Sequence, residues 1–426
     1  MIEQEQVFRK CAWRLIPIMM LLYVVNFIDR SYVGFAALTM NKDLGFSPSV
    51  YGFASGIFFI GYLLFQVPAT VLIERVGARR LTAAILLIWG LISASNAFVR
   101  DAHTFYIVRF VLGVAEAGFF PGMIFYLTLW FPKRLRGRYS AMFSSAIPLA
   151  GIIGGPLSGL ILGLDGMGGL HGWQWVFLIQ GLPASLLAFA VFKFLPDSPA
   201  RAPWLEDAEK NAVSAGLEPA AMVDESNLWK CLRDPRVWLL GLAAIAGGSG
   251  LYATTLWLPQ IIHSMGFTNR ETGFISVVPF VAAMAAMILW GRASDAAGER
   301  IWHTVLAWLF AAAGFAIACV SANHAFVLLG LVCAMVGVLS AFGPFYSLPS
   351  SFLTGPAAAG GIALVNSIAN FGGFLGPYLV GILKERTGGY TAAYATLATF
   401  LILAALLVIM VGRALSSRQP VPQTAG

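Results

Sequence analysis

Four charged residues stand inside stretches that otherwise read as lipid-spanning helices. Asp29 and Arg30 come late in an apolar run that begins near Trp13, and Arg109 and Glu116 lie in an apolar run reaching toward Trp130. A charge at bilayer depth costs roughly 2.5–3.5 kcal/mol even on the gentlest insertion scale. Each element contains both signs, which lowers that cost. A buried carboxylate can take up and release a proton, and a guanidinium offers an anion a rigid fork of donors. Asp29 therefore reads as a proton-carrying carboxylate and Arg30 as an anion-binding guanidinium. As helix neighbours they point about 100° apart, so each needs a different partner. Arg109 and Glu116 are seven positions apart. That is close to two turns, about 10 Å along one face, and a substrate carboxylate or another helix's charge can sit between them. The alternative for both elements is a structural charge network that orients the helices.

The elements that must position these charges follow from composition. Of 426 residues, 58% are hydrophobic and only 11% charged, with a mean hydropathy of +0.78. Soluble domains carry about 25% charged residues. Charge falls in short blocks between apolar runs of about 20 residues, the length that one helix needs to cross a bilayer. The expected fold is an all-α membrane protein with twelve transmembrane helices, centred near Val25, Gly61, Gly90, Gly118, Ile152, Leu186, Ala253, Met284, Ala311, Gly337, Asn370 and Leu401. Lys and Arg set the orientation. Alternate connections and both termini hold 20 of the 27, the opposite loops hold only Lys42, Arg100, Arg270, Lys384 and Arg386, and Arg30 and Arg109 lie within spans. That asymmetry places both termini in the cytoplasm. The net charge of +7 is thus a topology signal, and a nucleic-acid partner is not expected. The polar start and long first apolar run imply no cleavable signal. The four cysteines and five histidines have no metal spacing, and no nucleotide-binding loop is present. No metal, cofactor or enzymatic activity is expected.

The two halves look like copies. A shift of 221 positions lays Glu74-Arg75-Val76-Gly77-Ala78-Arg79 on Asp295-Ala296-Ala297-Gly298-Glu299-Arg300, and Gly155-Pro156 on Gly376-Pro377. The expected organisation is an N-terminal six-helix bundle over 1–195, a central cytoplasmic loop over 196–236 and a C-terminal six-helix bundle over 237–426. Parallel halves of this kind hold a substrate near the midplane between them. The charges do not repeat: the positions matching Asp29, Arg30, Arg109 and Glu116 are Gly250, Leu251, Gly330 and Gly337. The second half is expected to supply neutral polar and aromatic contacts.

Several segments now resemble the major facilitator superfamily, and within it the anion:cation symporter branch. They are Asn26-Phe27-Ile28-Asp29-Arg30, Gly61-Tyr62 with Gln66-Val67-Pro68, the loop from Glu74 to Arg80, Arg109 through Glu116 to Ala117, and Trp130-Phe131-Pro132. In the second half, Leu348-Pro349-Ser350 through Asn366 to Gly376-Pro377 is similar to the same branch. The resemblance implies two pseudo-symmetric bundles and uptake of a small organic anion coupled to protons. Sugar acids, tartrate-like acids and aromatic acids are the classes handled by that branch. It gives Glu116 a proton-coupling role and Arg109 a role in binding or gating. It further implies a bacterial inner membrane protein, in which one chain suffices as a monomer. A facilitator or anion exchanger of the same fold is the alternative, and a solute sensor is a weaker one.

Other polar side chains inside spans complete the candidate set. Tyr62 and Gln66 share a face of the second span, and Ser144 and Ser145 lie in the fifth. Tyr252, Trp257 and Gln260 lie on the seventh span, Tyr346 on the tenth, and Asn366 and Asn370 one turn apart on the eleventh. Substrate contact is expected from Tyr62, Ser145, Tyr252, Trp257, Tyr346, Asn366 and Asn370. Trp257 has an alternative as an interfacial belt residue. Glu74 with Arg79, and Asp295 with Arg300, are expected to gate the inner side as charge pairs that part when it opens.

Overall fold

Among the described residues, the computed structural model has twelve helices long and apolar enough to cross a membrane. The structure describes residues 4–217, 231–353 and 355–416, and the side chain of Glu74 lies outside the described set. The first six spans are Gln4–Asp43, Pro48–Ile73, Ala78–Phe98, Ala102–Trp130, Lys133–Leu164 and Gly172–Phe194. The second six are Pro235–Ser264, Asn269–Ala297, Ile301–Val320, His324–Ser351, Gly360–Thr387 and Thr391–Leu415. Each expected centre falls in a different span, and no strand occurs among the described residues.

Local chemistry sets the span ends. Starts on the side with few basic residues carry side-chain caps: Asp101 Oδ1 accepts from Thr104 N at 2.9 Å, and Thr268 and Glu271 cap the eighth span reciprocally. Such caps satisfy backbone donors that have no partner inside the helix. The short turn after the second span is made by Gly77 at φ +93°, and the turn 221 positions later by Gly298 at φ +62°. Both values lie where a side chain is strained, so the copied loops share a backbone requirement as well as a sequence.

Five of the described spans contain a one- or two-residue step that keeps right-handed helical backbone: the first at Tyr32, the fourth at Ala117 and Gly118, the fifth at Ser145, the eighth at Ser276 and the tenth at Ala341. The N–H groups of Tyr32, Ser145, Ser276 and Ala341 stay bonded to carbonyls one turn earlier, so these steps are local irregularities in continuous spans. Arg30 and Glu116 each lie within two residues of such a step.

The chain divides into two compact units. One comprises Met1–Ala220, Thr255–Val281 and Pro377–Glu385, and the other Ala221–Thr254, Ala282–Gly376 and Arg386–Gly426. In the first unit, the second and fourth spans meet backbone to backbone. A Cβ on Gly113 would stand 1.9 Å from the Phe58 carbonyl oxygen, and one on Gly61 2.3 Å from that of Phe110. The same unit joins the fifth span to Asn269–Val281. A Cβ on Gly155 would stand 2.7 Å from the carbonyl oxygen of Gly273. In the second unit, Gly372 and Gly376 lie against the backbone of Ile245 and Ser249, and Trp308 packs on Phe345 with ring centroids 4.9 Å apart.

The polar stretch after the sixth span includes a helix among its described residues. Asp207–Gly216 is a helix that docks on the start of the first span. Lys10 pairs with Glu209 at 2.7 Å, and Gln4 Nε2 donates to the Ala212 carbonyl at 2.9 Å. Trp204 stacks on Trp130 with centroids 5.6 Å apart.

Candidate functional site: two buried carboxylates and two guanidiniums

All four intramembrane charges are in the first unit, where Asp29, Arg109 and Glu116 are fully buried and Arg30 is 5% exposed. They form two dissimilar clusters. In one, Arg30 Nε donates to Glu116 Oε2 at 2.9 Å and Asn26 Nδ2 donates to the same oxygen at 2.7 Å. Asn26 and Arg30 are one turn apart, so one helix face presents both donors. In the other, Asp29 Oδ1 accepts from Ser93 Oγ of the third span, and Ser93 in turn is bonded to Tyr32. Adjacent positions on one helix thus serve different partners, 100° apart as helix geometry dictates.

Each carboxylate commits one oxygen. Glu116 Oε1 and Asp29 Oδ2 are buried with no hydrogen-bond partner among the described residues. An ionised oxygen left bare in a dry interior is costly, and a proton on it removes the charge. Arg109 is in a comparable condition: none of its three guanidine nitrogens has a hydrogen-bond partner among the described residues. Asp29 and Glu116 lie within its electrostatic range. Its support is aromatic. The guanidinium carbon of Arg109 lies 5.1 Å from the Phe58 ring centre, and that of Arg30 lies 5.4 Å from Phe58 and 4.6 Å from Tyr62. Phe58 therefore faces both cations. A buried guanidinium with open donors fits an acceptor-rich anion such as a carboxylate, which its fork binds through two bonds.

The remaining candidates fall elsewhere. Trp257 is buried in the first unit with its indole N–H on the Pro377 carbonyl at 3.1 Å, and its ring meets Tyr51 edge-on at 4.9 Å. Ser145 bonds back to the Met142 carbonyl at 2.6 Å. Tyr252, Tyr346, Asn366 and Asn370 belong to the second unit. There, Asn370 Nδ2 donates to the Asn366 carbonyl at 3.1 Å, and Tyr346 lies beside Phe342 and Phe345. Arg79 pairs with Asp197 at 3.3 Å, and Asp295 with Arg300 at 2.6 Å.

Sequence reasoning passed over Phe58, Asn26, Ser93 and Tyr32 as functional residues. Phe58 lies one turn before Tyr62, and Asn26 one turn before Arg30, so helical spacing offered a signal for both. For Ser93 there was none, because a lone serine in a span most often bonds its own helix.

The family model of the Major Facilitator Superfamily matches residues 19–359 and 260–425. A relative in Agrobacterium vitis described as "Putative tartrate transporter" is 45% identical over 96% of this chain and 92% of its own length. A quinolone resistance transporter of Acinetobacter baumannii is 39% identical over 96% of this chain and 95% of its own. A solved bacterial homolog of the human lysosomal transporter Spinster, inward-facing and unoccupied, shares the fold. Its TM-score is 0.79 at 17% identity, over 97% of this chain and 99% of that one. The chain belongs to the Major Facilitator Superfamily. It is a multi-pass membrane transporter with the fold of that superfamily, and not an enzyme.

Proposed function

We propose that this transporter belongs to the anion:cation symporter branch and imports an organic carboxylate together with protons by alternating access. The observation that carries the reading is the buried Arg30–Glu116 pair at 2.9 Å beside an Arg109 whose nitrogens are open. A substrate carboxylate arriving at the guanidiniums competes with Glu116 for Arg30. Glu116, losing its counter-charge, then favours the protonated form. Anion and proton so promote each other's binding, which is reciprocal coupling. Asp29 supplies a second protonation site. The similarity to a protein described as a tartrate transporter supports a small hydroxy-acid as first choice, with sugar acids and aromatic acids next.

In this reading Tyr62 supports Arg30, and Tyr252, Trp257, Tyr346, Ser145, Asn366 and Asn370 meet the neutral part of the substrate at some stage of the cycle. The pairs Arg79–Asp197 and Asp295–Arg300, with Glu74, act as gates on the basic side. That side is the cytoplasmic face of a bacterial inner membrane, with both termini there, and the chain works as a monomer. Exchange or export is the second reading, supported by the similarity to a quinolone resistance transporter.

The test is uptake of radiolabelled carboxylates, tartrate first, into proteoliposomes with and without an inward proton gradient. Accumulation that needs the gradient and collapses with a protonophore is the expected result. Uptake that requires only an internal counter-anion would establish exchange instead.

A further inference from the structure

Asp29, Ser93 and Tyr32 make a connected chain that the exchange of charge at Glu116 does not use. Ser93 has one hydroxyl proton and directs it at Asp29 Oδ1. Its oxygen must therefore accept from Tyr32, whose phenol is the only donor of that pair left. All three side chains are buried, at 0%, 0% and 1% exposure. The location is constrained from two sides. Ser93 lies where the third and sixth spans touch, and a Cβ on Gly181 would stand 2.8 Å from its Oγ. Tyr32 is the one-residue step between the helical stretches Gln4–Ser31 and Val33–Asp43, and its ring meets Phe177 edge-on at 5.2 Å. Two positions later, a Cβ on Gly34 would stand 2.6 Å from the Leu256 carbonyl oxygen.

We propose that Tyr32 and Ser93 are positioning residues for proton handling at Asp29. Their hydroxyls form a donor chain, Tyr32 to Ser93 to Asp29 Oδ1, that holds one carboxylate oxygen and leaves Oδ2 to take the proton. The inference rests on the reading of Asp29 as a proton-carrying group and adds how its proton affinity is set. Donors to the charged form of a carboxylate favour that form. The chain therefore assists proton release, and through Ser93 it ties the charge of Asp29 to the contact of the third and sixth spans. The other charged groups facing Asp29 are Arg109 and Glu116 of the fourth span, while the third span contributes Trp89 and Ser93. Arg30, its neighbour in sequence, is turned to Glu116.

The test needs no transported substrate. Infrared difference titration of the purified protein in lipid follows protonated carboxyl C=O bands, and the Asp29 band is the one lost in Asp29→Asn. Ser93→Ala is expected to move the midpoint of that band upward by about one pH unit, a tenfold gain in proton affinity. Tyr32→Phe keeps the ring against Phe177 and should move it the same way by less. The double variant should move it no further than Ser93→Ala alone, because the hydroxyls act in series; independent structural effects would add. An unmoved midpoint in both single variants, or additive shifts, overturns the chain while Asp29 remains a titrating group. No band lost in Asp29→Asn overturns the chain and the proton-carrying reading of Asp29 together. Tyr32→Phe keeps the question open to test if Ser93→Ala fails to fold.

Discussion

Glu116 and Asp29 are equally buried, yet their surroundings differ in kind. Glu116 is met by a full positive charge and an amide on one oxygen. Asp29 is met by a hydroxyl that is itself backed by another hydroxyl. Protonating Glu116 therefore dissolves an ion pair and releases Arg30, whereas protonating Asp29 weakens the hydrogen bond from a neutral hydroxyl and alters the field on Arg109. The first event can change what binds an anion. The second can change when a proton leaves. Two carboxylates that look alike by composition and depth are thus suited to different steps of one cycle.

The sharpest way to break this contrast is Glu116→Gln. Gradient-driven accumulation should disappear while counterflow exchange continues, because the substitution removes the titratable group and keeps the shape. Unchanged accumulation in proteoliposomes would remove Glu116 from coupling. Stability should rank the clusters next. Glu116→Ala leaves Arg30 facing a lost counter-charge, and deleting one partner of a buried pair costs about 3–5 kcal/mol. Asp29→Asn loses charge-assisted hydrogen bonds worth about 1.5–3 kcal/mol. Melting of the purified variants should therefore place Glu116→Ala below Asp29→Asn, and the reverse order would contradict the pairing described here.

Arg109→Lys tests the open guanidinium. The charge stays but the fork is lost, so half-saturation for a carboxylate substrate should rise about tenfold, near 1.4 kcal/mol. An unaltered half-saturation would move substrate binding to Arg30. The smallest effect belongs to the peripheral pair of Lys10 and Glu209, 39% and 13% exposed. Lys10→Ala should cost under about 1 kcal/mol and leave coupling intact. The Lys10 ammonium bonded to Glu209 holds that carboxyl below its ordinary value. Its contribution is present above the ordinary carboxylate range and fades as pH falls through the lowered one. A melting temperature that drops on acidification in the parent but not in Glu209→Gln would display that link.

The architecture was legible because lipid enforces it. A chain that must satisfy its backbone inside hydrocarbon forms helices of set length, so hydropathy marks the spans. The copied loops at Glu74 and Asp295 announced the repeat, and Gly77 and Gly298 share the positive φ that the shared turn requires. The charged residues were equally visible, since each is expensive at its depth. Their partners were not. The 100° between Asp29 and Arg30 required two partners without naming either. Glu116 is 86 positions from Arg30 and Ser93 is 64 from Asp29, distances that only packing can close. Phe58 shows the same limit: it is one of 32 phenylalanines, and only the approach of the second and fourth spans at Gly61 and Gly113 puts its ring beneath two guanidiniums. The sequence by itself determined how many helices cross, how they are copied and which residues carry charge into the bilayer, because these follow from local cost. Which carboxylate meets a guanidinium and which meets a hydroxyl was decided by tertiary structure alone, because pairing depends on how closely glycine lets neighbouring helices approach.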